Sequence, residues 1–447
     1  MDAQASGPNR YGWIWLALLC TFGFLHALTY ALTNPVYESP DEPGHLGYID
    51  RIAAGDGLPN QYDPKQFMAE GHQTPLYYLV AGNLLRISGG PIDVHLPQSN
   101  LKDPAPTFDH KPSPFKRSHD RNMFFALRIL GCVFVGLTVL QTGRAARKIL
   151  PIGHVYLVAP MLVAMLPQFA FIGASISNDG FAALIGSCAT VAAAEVCLQP
   201  HRRKTWLLFG VWIALAFLAK KNSLAYVPAA LVLFTVIQIV GTTSTKTILR
   251  NALISVGAAL VLSLPVLLRN LSLYDELLGT KMEMETMPNL AYTQDLGSPH
   301  FRFIFPDIVP RSFVSHFGWM AVEVKQRYVW PIVRAILGTA ALGMIALFDR
   351  KRAAFAAFCL TAFLANVVGL VYYNLMFPQA QGRLLFPTLA PLFILCALGL
   401  FEISDRIRFR YKALAIIPIF IWLLWFDLLC FYTNQNFYAW FGPKLGF

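Results

Sequence analysis

Stretches of about twenty apolar residues recur along this 447-residue chain, each long enough to cross roughly 30 Å of hydrocarbon as a helix. Lipid offers no partner to a backbone N–H or C=O, so a run that crosses it must close its hydrogen bonds within itself. About eleven such runs can be placed: Trp13–Leu32, Met123–Gln141, His154–Ile172, Gly180–Cys197, Trp206–Ala219, Leu224–Val240, Leu253–Leu268, Val329–Leu347, Ala354–Tyr373, Leu384–Phe401 and Leu414–Phe431. Only a short polar notch divides the fifth from the sixth. The expected fold is all-α: a polytopic membrane protein forming a single transmembrane domain over 1–447. Composition agrees, with 55% hydrophobic and 14% charged residues and a mean hydropathy of +0.49, too little charge to cover a water-facing surface.

The formal charge of +11 is placed so as to report topology. Basic residues gather in short loops: Arg144, Arg147 and Lys148; Arg202, Arg203 and Lys204; Lys246 and Arg250; Arg350, Lys351 and Arg352; Arg406, Arg408, Arg410 and Lys412. If every run crosses once, all of these fall on one side, which the positive-inside rule makes cytoplasmic. Their partners are then anionic membrane lipids, with no nucleic acid expected, and the location is a plasma (inner) membrane. The seven cysteines lie in or at the ends of apolar runs, with no metal-ligand spacing, and read as packing residues. The first run lacks a small-residue cleavage site and is expected to remain as an anchor.

Two segments are too long and polar to be simple connections: 34–122 and 269–328, both extracytoplasmic by the charge argument. In the first, Ser39-Pro40-Asp41-Glu42-Pro43 offers a helix start, Leu46, Ile49, Ile52 and Ala53 form one apolar stripe, and Gly55 or Gly57 ends it. Thr74-Pro75 opens a second helix, with Leu76, Leu79, Val80 and Ile87 as its apolar residues and Gly89-Gly90 as its stop. Such amphipathic helices lie on a membrane face. The stretch from Pro91 to Pro114 reads as irregular.

The strongest chemical signal is Asp41-Glu42, a carboxylate pair just beyond the first run. Paired carboxylates can bind a divalent cation or take a proton from an acceptor hydroxyl; the alternative is a helix cap with a dipole-complementing neighbour. His45, four residues on, shares a helical face with Asp41. Asp179, after Asn178 in the loop 175–180, is either a cap for the fourth run or a second acid on the same membrane face. Lys220, Lys221 and Arg383 break the positive-inside pattern. They either snorkel to headgroups or bind phosphate, Arg bidentately and Lys as a point charge. Gly382, within Gln381-Gly382-Arg383, would let backbone approach a ligand closely. His72 precedes Gln73-Thr74-Pro75, and His316 lies in the aromatic stretch Ser312–Met320, which reads as an interfacial belt or a sugar-stacking surface. Asp427, within the last run, requires a partner. Asn270-Leu271-Ser272 fits a glycosylation sequon.

No Gly-rich phosphate loop, G-x-S-x-G or HExxH occurs, which argues against a nucleotide-sugar enzyme with a cytoplasmic Rossmann domain. A transporter or flippase for lipid-linked glycans commonly shows internal repeats and broken helices with midplane charge, whereas here no repeat is seen and the candidate residues cluster at one face; a non-catalytic subunit binding the lipid carrier would keep the basic residues without needing Asp41.

Taken in order, Ser39-Pro40-Asp41-Glu42-Pro43-Gly44-His45, Thr74-Pro75-Leu76-Tyr77-Tyr78, Ser177-Asn178-Asp179, Phe317-Gly318-Trp319 and Gln381-Gly382-Arg383-Leu384-Leu385-Phe386-Pro387 resemble the GT-C superfamily. These are the membrane-embedded glycosyltransferases that include protein O-mannosyltransferases and the aminoarabinose transferase of lipid A; a broad bacterial group of predicted membrane proteins is more similar still. The resemblance implies a polyprenyl-phosphate sugar donor and a glycan, lipid or protein acceptor. It also implies Asp41 as general base or metal ligand with Glu42 beside it, Asp179 as a second acid, and Lys220, Lys221 and Arg383 at the donor phosphate. His45, His72, His316 and Gln381 are further substrate-binding candidates. The resemblance fixes no cofactor and leaves metal dependence open; a divalent metal ion, if used, would sit on Asp41 and Asp179. The second outer loop is smaller than the soluble domains some members carry.

Overall fold

The computed structural model describes residues 10–94, 114–150, 155–241, 243–406 and 416–445. Sixteen α-helices follow one another: α1 (Arg10–Thr33), α2 (Glu42–Ala54), α3 (Leu76–Ile87), α4 (Ser118–Ile149), α5 (Val158–Ala164), α6 (Pro167–Gly173), α7 (Asn178–Leu198), α8 (Arg203–Ala219), α9 (Tyr226–Val240), α10 (Thr245–Tyr274), α11 (Thr280–Thr286), α12 (Phe305–Val314), α13 (Gln326–Gly343), α14 (Ala353–Met376), α15 (Leu389–Arg406) and α16 (Ile416–Leu445). Among the described residues, the only ladder is His316–Phe317 against Val322–Glu323. Nine helices there are long and apolar enough to cross a membrane, or ten if the bent pair α5–α6 is one span. This is a multi-pass helical membrane protein. The run Trp206–Ala219 forms α8, which at 17 residues is shorter than those nine.

Two departures from the sequence reading have plain causes. The run expected over His154–Ile172 is broken, with α5 and α6 bent by 54°. Pro167 cannot donate, and it holds Leu166 in extended backbone (φ −89°, ψ 104°), as a residue before proline prefers. The break is tolerated because these helices are buried, so freed backbone groups meet protein rather than lipid. Next, α4 is 32 residues long, so Arg144, Arg147 and Lys148 stand on its last turns instead of in a loop, and Lys246 and Arg250 likewise ride on the start of α10. A helix keeps its hydrogen bonds past the hydrocarbon edge, and long basic side chains reach water from there. His154, most of Pro91–Pro114, and Arg408, Arg410 and Lys412 lie outside the described residues.

The core is built on α7 and α15, which are buried on nearly all sides, whereas α10 presents Leu249, Leu253, Leu260, Val261 and Leu268 outward. Without a hydrophobic force between helices in lipid, close approach of small residues supplies the packing. A Cβ on Gly399 of α15 would overlap the Thr339 carbonyl of α13. Between α1 and α4, α2 packs on α3, with Ile49 and Ile52 against Gly82 and Tyr48 stacked on Tyr78, and Leu46 and Ala53 are buried beside them. The buried side of α3 is Tyr77, Tyr78, Ala81, Gly82 and Leu85, while Leu79, Val80 and Ile87 face outward.

The bundle has two chemically distinct ends. At one, Lys148 pairs with Glu195 at 2.5 Å, Asn251 donates to the Pro200 carbonyl at 3.1 Å, and Arg350 donates to the Val240 carbonyl at 2.9 Å, so the described basic segments sit together. At the other end lie the residues that follow α1 and α8 and those that precede α7 and α15.

Candidate functional site

The segment joining α1 to α2 is folded around a buried ion pair. Glu42 is fully buried, and Arg128 of α4 meets it in a fork, Nε to Oε1 at 2.9 Å and Nη2 to Oε2 at 2.7 Å. The backbone N–H groups of Ile176 and Tyr37 donate to the same two oxygens at 3.0 Å each. Arg128 spends its remaining donors on the carbonyls of Ala31, Asn34 and Pro35, and Trp319 Nε1 donates to the Tyr37 carbonyl at 2.8 Å. These bonds hold two non-glycine residues at positive φ, Tyr37 (68°) and Asp41 (63°), a conformation costing about 1–2 kcal/mol each. Glu42, grouped with Asp41 by the sequence, therefore has no free oxygen for a ligand; its place is to hold the loop that presents Asp41. Trp319 thus joins this clamp, and Phe317 is fully buried and stacked on Tyr30, so it forms no exposed belt or sugar platform.

Asp41 stands at the cap position of α2, but its side chain makes no capping bond. It pairs instead with Arg383 Nη2, which comes from the 3-10 turn 382–388 leading into α15. Arg383 also approaches Asp179 Oδ2 through Nη1 at 3.5 Å, and its Nε donates to Gln381 Oε1 at 2.6 Å. Asp179 in turn accepts from Lys220 at 2.5 Å, and Lys220 donates to Asn178 Oδ1 at 3.1 Å. The cap of α7 is Ser177, whose hydroxyl accepts from the Asp179 N–H, leaving the Asp179 carboxylate free for the two cations. Neither cation snorkels: Lys220 and Arg383 both turn inward. Side-chain exposure is 0% for Asp179, 6% for Lys220 and 8% for Arg383 but 34% for Asp41, so Asp41 is the member of this group most open to an incoming molecule.

Gly382 makes its close approach to protein, not to a ligand. Its N–H donates to Ser312 Oγ at 2.8 Å, and a Cβ would run into the backbone of Val309 and Phe313 on α12.

Three residues that drew no attention in the sequence complete the site. Glu70, in the α2–α3 loop, lies against Gly44 and within electrostatic reach of Asp41, Arg383 and Lys220. Gln73 accepts from Asn178 Nδ2 at 3.2 Å and contacts His72 at 3.0 Å. Glu283 of α11 gathers Lys221 at 2.6 Å, His72 at 3.4 Å and Tyr373 at 3.3 Å. The adjacent residues Lys220 and Lys221 thus serve different carboxylates, joined through Gln73. His45, beside Asp41 on α2, is bonded to Tyr78 Oη at 2.7 Å. His316 belongs elsewhere, in a group with Glu323 at 3.1 Å and Arg311.

The electrostatics sort the acids. Burial pushes the Asp41 carboxyl up, but Arg383, through its charge and its hydrogen bond, and Lys220 outweigh it and hold the group below the usual carboxylate range. Burial and the neighbouring Asp41 drive Glu70 the other way, up to about 8, so it is protonated at neutral pH. Burial, with Lys220 and Arg383 nearby, lowers His45 to about 3 and keeps it neutral. An acid whose folded pKa lies above its ordinary 4.5 opposes folding as pH rises, because between those values the unfolded chain has lost a proton that the folded one keeps. Glu70→Gln is therefore expected to raise the melting temperature at pH 8 by several degrees, to change it little at pH 4.5, and to flatten the slope between. An unchanged slope would place Glu70 in a solvated, ordinary setting.

The site is thus a group of acids and cations gathered where the segment after α1 meets the starts of α7 and α15 in a bundle of membrane-crossing helices. A family model for dolichyl-phosphate-mannose-protein mannosyltransferases matches residues 121–268, a segment that contains Asp179 and Lys220. No curated protein matches the chain. Among solved structures, the apo oligosaccharyltransferase of Archaeoglobus fulgidus is 14% identical, with a TM-score of 0.57 over 96% of this chain and 56% of its own. ArnT from Cupriavidus metallidurans, bound to undecaprenyl phosphate, is 14% identical, with a TM-score of 0.52 over 89% and 61%. The Archaeoglobus fulgidus enzyme AglB, in complex with an inhibitory peptide and a dolichol-phosphate, is 12% identical, with a TM-score of 0.54 over 95% and 55%. The chain thus spans little more than half the length of these proteins. At such identities the likeness is one of fold.

Proposed function

We propose that this protein is a glycosyltransferase that moves a sugar from a polyprenyl-phosphate donor to a glycan, lipid or protein acceptor on the extracytoplasmic face of the plasma membrane. The observation that carries the reading is the position of Arg383. One side of its turn meets Asp41 and Asp179, and the other opens on an apolar groove. That groove, about 290 Å³, is lined by Val309 and Phe313 of α12, Ile336 of α13, Val367 of α14, and Leu385 and Leu392. An amphiphile with a long apolar tail and an anionic head fits both parts at once. The phosphate accepts from Arg383 and Lys220, and the prenyl chain lies along the groove. The relatives bound to undecaprenyl phosphate and dolichol-phosphate support this donor class.

In the proposed reaction an acceptor oxygen gives its proton to Asp41 and bonds to the anomeric carbon, while the carbon–oxygen bond to phosphate breaks and the pair of electrons leaves on phosphate. Arg383 and Lys220 stabilise that charge where it develops. Donor binding also prepares the base. As long as Arg383 pairs with Asp41, the carboxylate is held too acidic to act well; when the phosphate draws Arg383 away, burial raises its basicity toward the useful range. The two carboxylates that a divalent ion would need already have Arg383 between them, with Lys220 at Asp179, a donor set that does not fit such an ion, and the proposed steps use none.

Native mass spectrometry of the purified protein is expected to find a polyprenyl phosphate or its glycoside bound, and Arg383→Ala is expected to lower its occupancy at least tenfold in a folded protein. Loss of neither would leave the groove and the cations without their proposed ligand.

A further inference from the structure

A second cleft lies at the opposite end of the bundle, where α4, α7 and α8 diverge. Glu195, on its wall, is sixteen residues along α7 from Asp179, about 24 Å of helix. The cleft encloses about 390 Å³ and is divided by chemistry. Its mouth carries Arg144, Arg202 and Lys204, all exposed. Its floor runs inward over Val191 and Ala192 of α7 and Leu208 and Trp212 of α8. Lys204, Leu208 and Trp212 follow one another at i, i+4 and i+8, so one face of α8 changes from cationic to apolar over roughly 12 Å.

The cations are not there for an internal partner. Glu195, the carboxylate lining the cleft, is taken by Lys148 at 2.5 Å. Arg144 and Arg202 donate to neutral amides, Gln141 at 3.0 Å and Gln199 at 2.8 Å. Counting Lys148 against Glu195, the mouth holds a net excess of three positive charges above an apolar slot.

We propose that this cleft is a binding site for an anionic phospholipid, with the headgroup phosphate among Arg144, Arg202 and Lys204 and an acyl chain on Leu208 and Trp212. A soluble anion would use the mouth and waste the slot; a zwitterionic lipid would fill the slot and carry its own positive charge into three others. Basic pockets between membrane helices on the side with clustered Lys and Arg are suited to anionic headgroups. The site is separate from the carboxylate cluster and does not depend on the reaction proposed for it.

The test uses the full-length protein in a neutral detergent. Added phosphatidylglycerol is expected to raise the melting temperature by several degrees, and phosphatidylcholine and inorganic phosphate are expected to leave it within about one degree. The triple change Arg144→Gln, Arg202→Gln, Lys204→Gln is expected to weaken phosphatidylglycerol binding about a hundredfold, from roughly fivefold per cation near a membrane surface. Phosphatidylglycerol brominated in its chains is expected to quench a part of the wild-type fluorescence that Trp212→Phe removes, a readout that stands even if the triple variant does not fold. Equal stabilisation by inorganic phosphate, undiminished lipid binding in a folded triple variant, or no Trp212-dependent quenching would each overturn the proposal.

Discussion

Asp41→Asn is expected to abolish sugar transfer, by about a hundredfold or more, in a protein that still folds. Asparagine is close to isosteric with aspartate and is among the few residues that enter the left-handed region readily, so it suits the φ of 63° that Asp41 adopts. Its amide oxygen can still accept from Arg383, and Arg383 keeps Asp179, so no buried cation is stranded. What asparagine cannot do at neutral pH is take up a proton. Asp41→Ala is a poorer test, because a residue without a polar side chain fits that backbone badly and the loss of charge comes mixed with strain. The measurement is transfer from a purified polyprenyl-phosphate sugar, with thermal stability followed alongside. A folded Asn variant that keeps most of its activity would remove Asp41 from the reaction and leave the carrier-binding subunit as the better account of the site.

Arg128→Ala is expected to cost about 3–5 kcal/mol, the usual penalty for stripping one partner from a buried ion pair, and to leave little folded protein. The Glu42 carboxylate would remain buried without its guanidinium, and the carbonyls of Ala31, Asn34 and Pro35 would lose their donor. Arg128→Lys restores a charge but not the fork, and should recover only part of the loss. The combined change Glu42→Gln, Arg128→Met removes both charges and should be markedly more stable than Arg128→Ala, because most of the single-variant penalty is the orphaned carboxylate. Its activity is then informative. If the clamp serves to present Asp41, the folded double variant transfers sugar slowly even though neither altered residue meets the substrate. Arg128→Ala that melts with the unaltered protein would show that the loop is held by other means.

Most of the fold is legible in the sequence because the bilayer imposes a length and a composition on each crossing helix. Runs such as Ala354–Tyr373 and Gly180–Cys197 coincide with α14 and α7 to within a few residues. The bend between α5 and α6 was hidden because its cause, Pro167, is a residue that a membrane helix can also carry as a mild kink. The candidate acids and cations were legible through position: Asp41, Asp179, Lys220, Lys221 and Arg383 are charged residues at the edges of apolar runs, on the end of the bundle opposite the short basic segments. Glu70 and Glu283 carried no such mark, being acids in polar loops where acids are ordinary. Their surroundings come from segments far away in the chain.

What the sequence by itself determined is therefore the helical, membrane-crossing architecture and the set of charged residues gathered at one end of it, since both follow from the cost of exposing polar groups to lipid. Only the tertiary structure decided which charge meets which. Asp41 and Glu42 are neighbours in the chain, yet one is the accessible carboxylate of the site and the other is sealed into a fork with Arg128; Lys220 and Lys221 part in the same way, to Asp179 and to Glu283. A backbone that turns between adjacent residues sends their side chains to different surroundings, and a charge's energy depends on its partners within a few ångströms, which no spacing along the chain records.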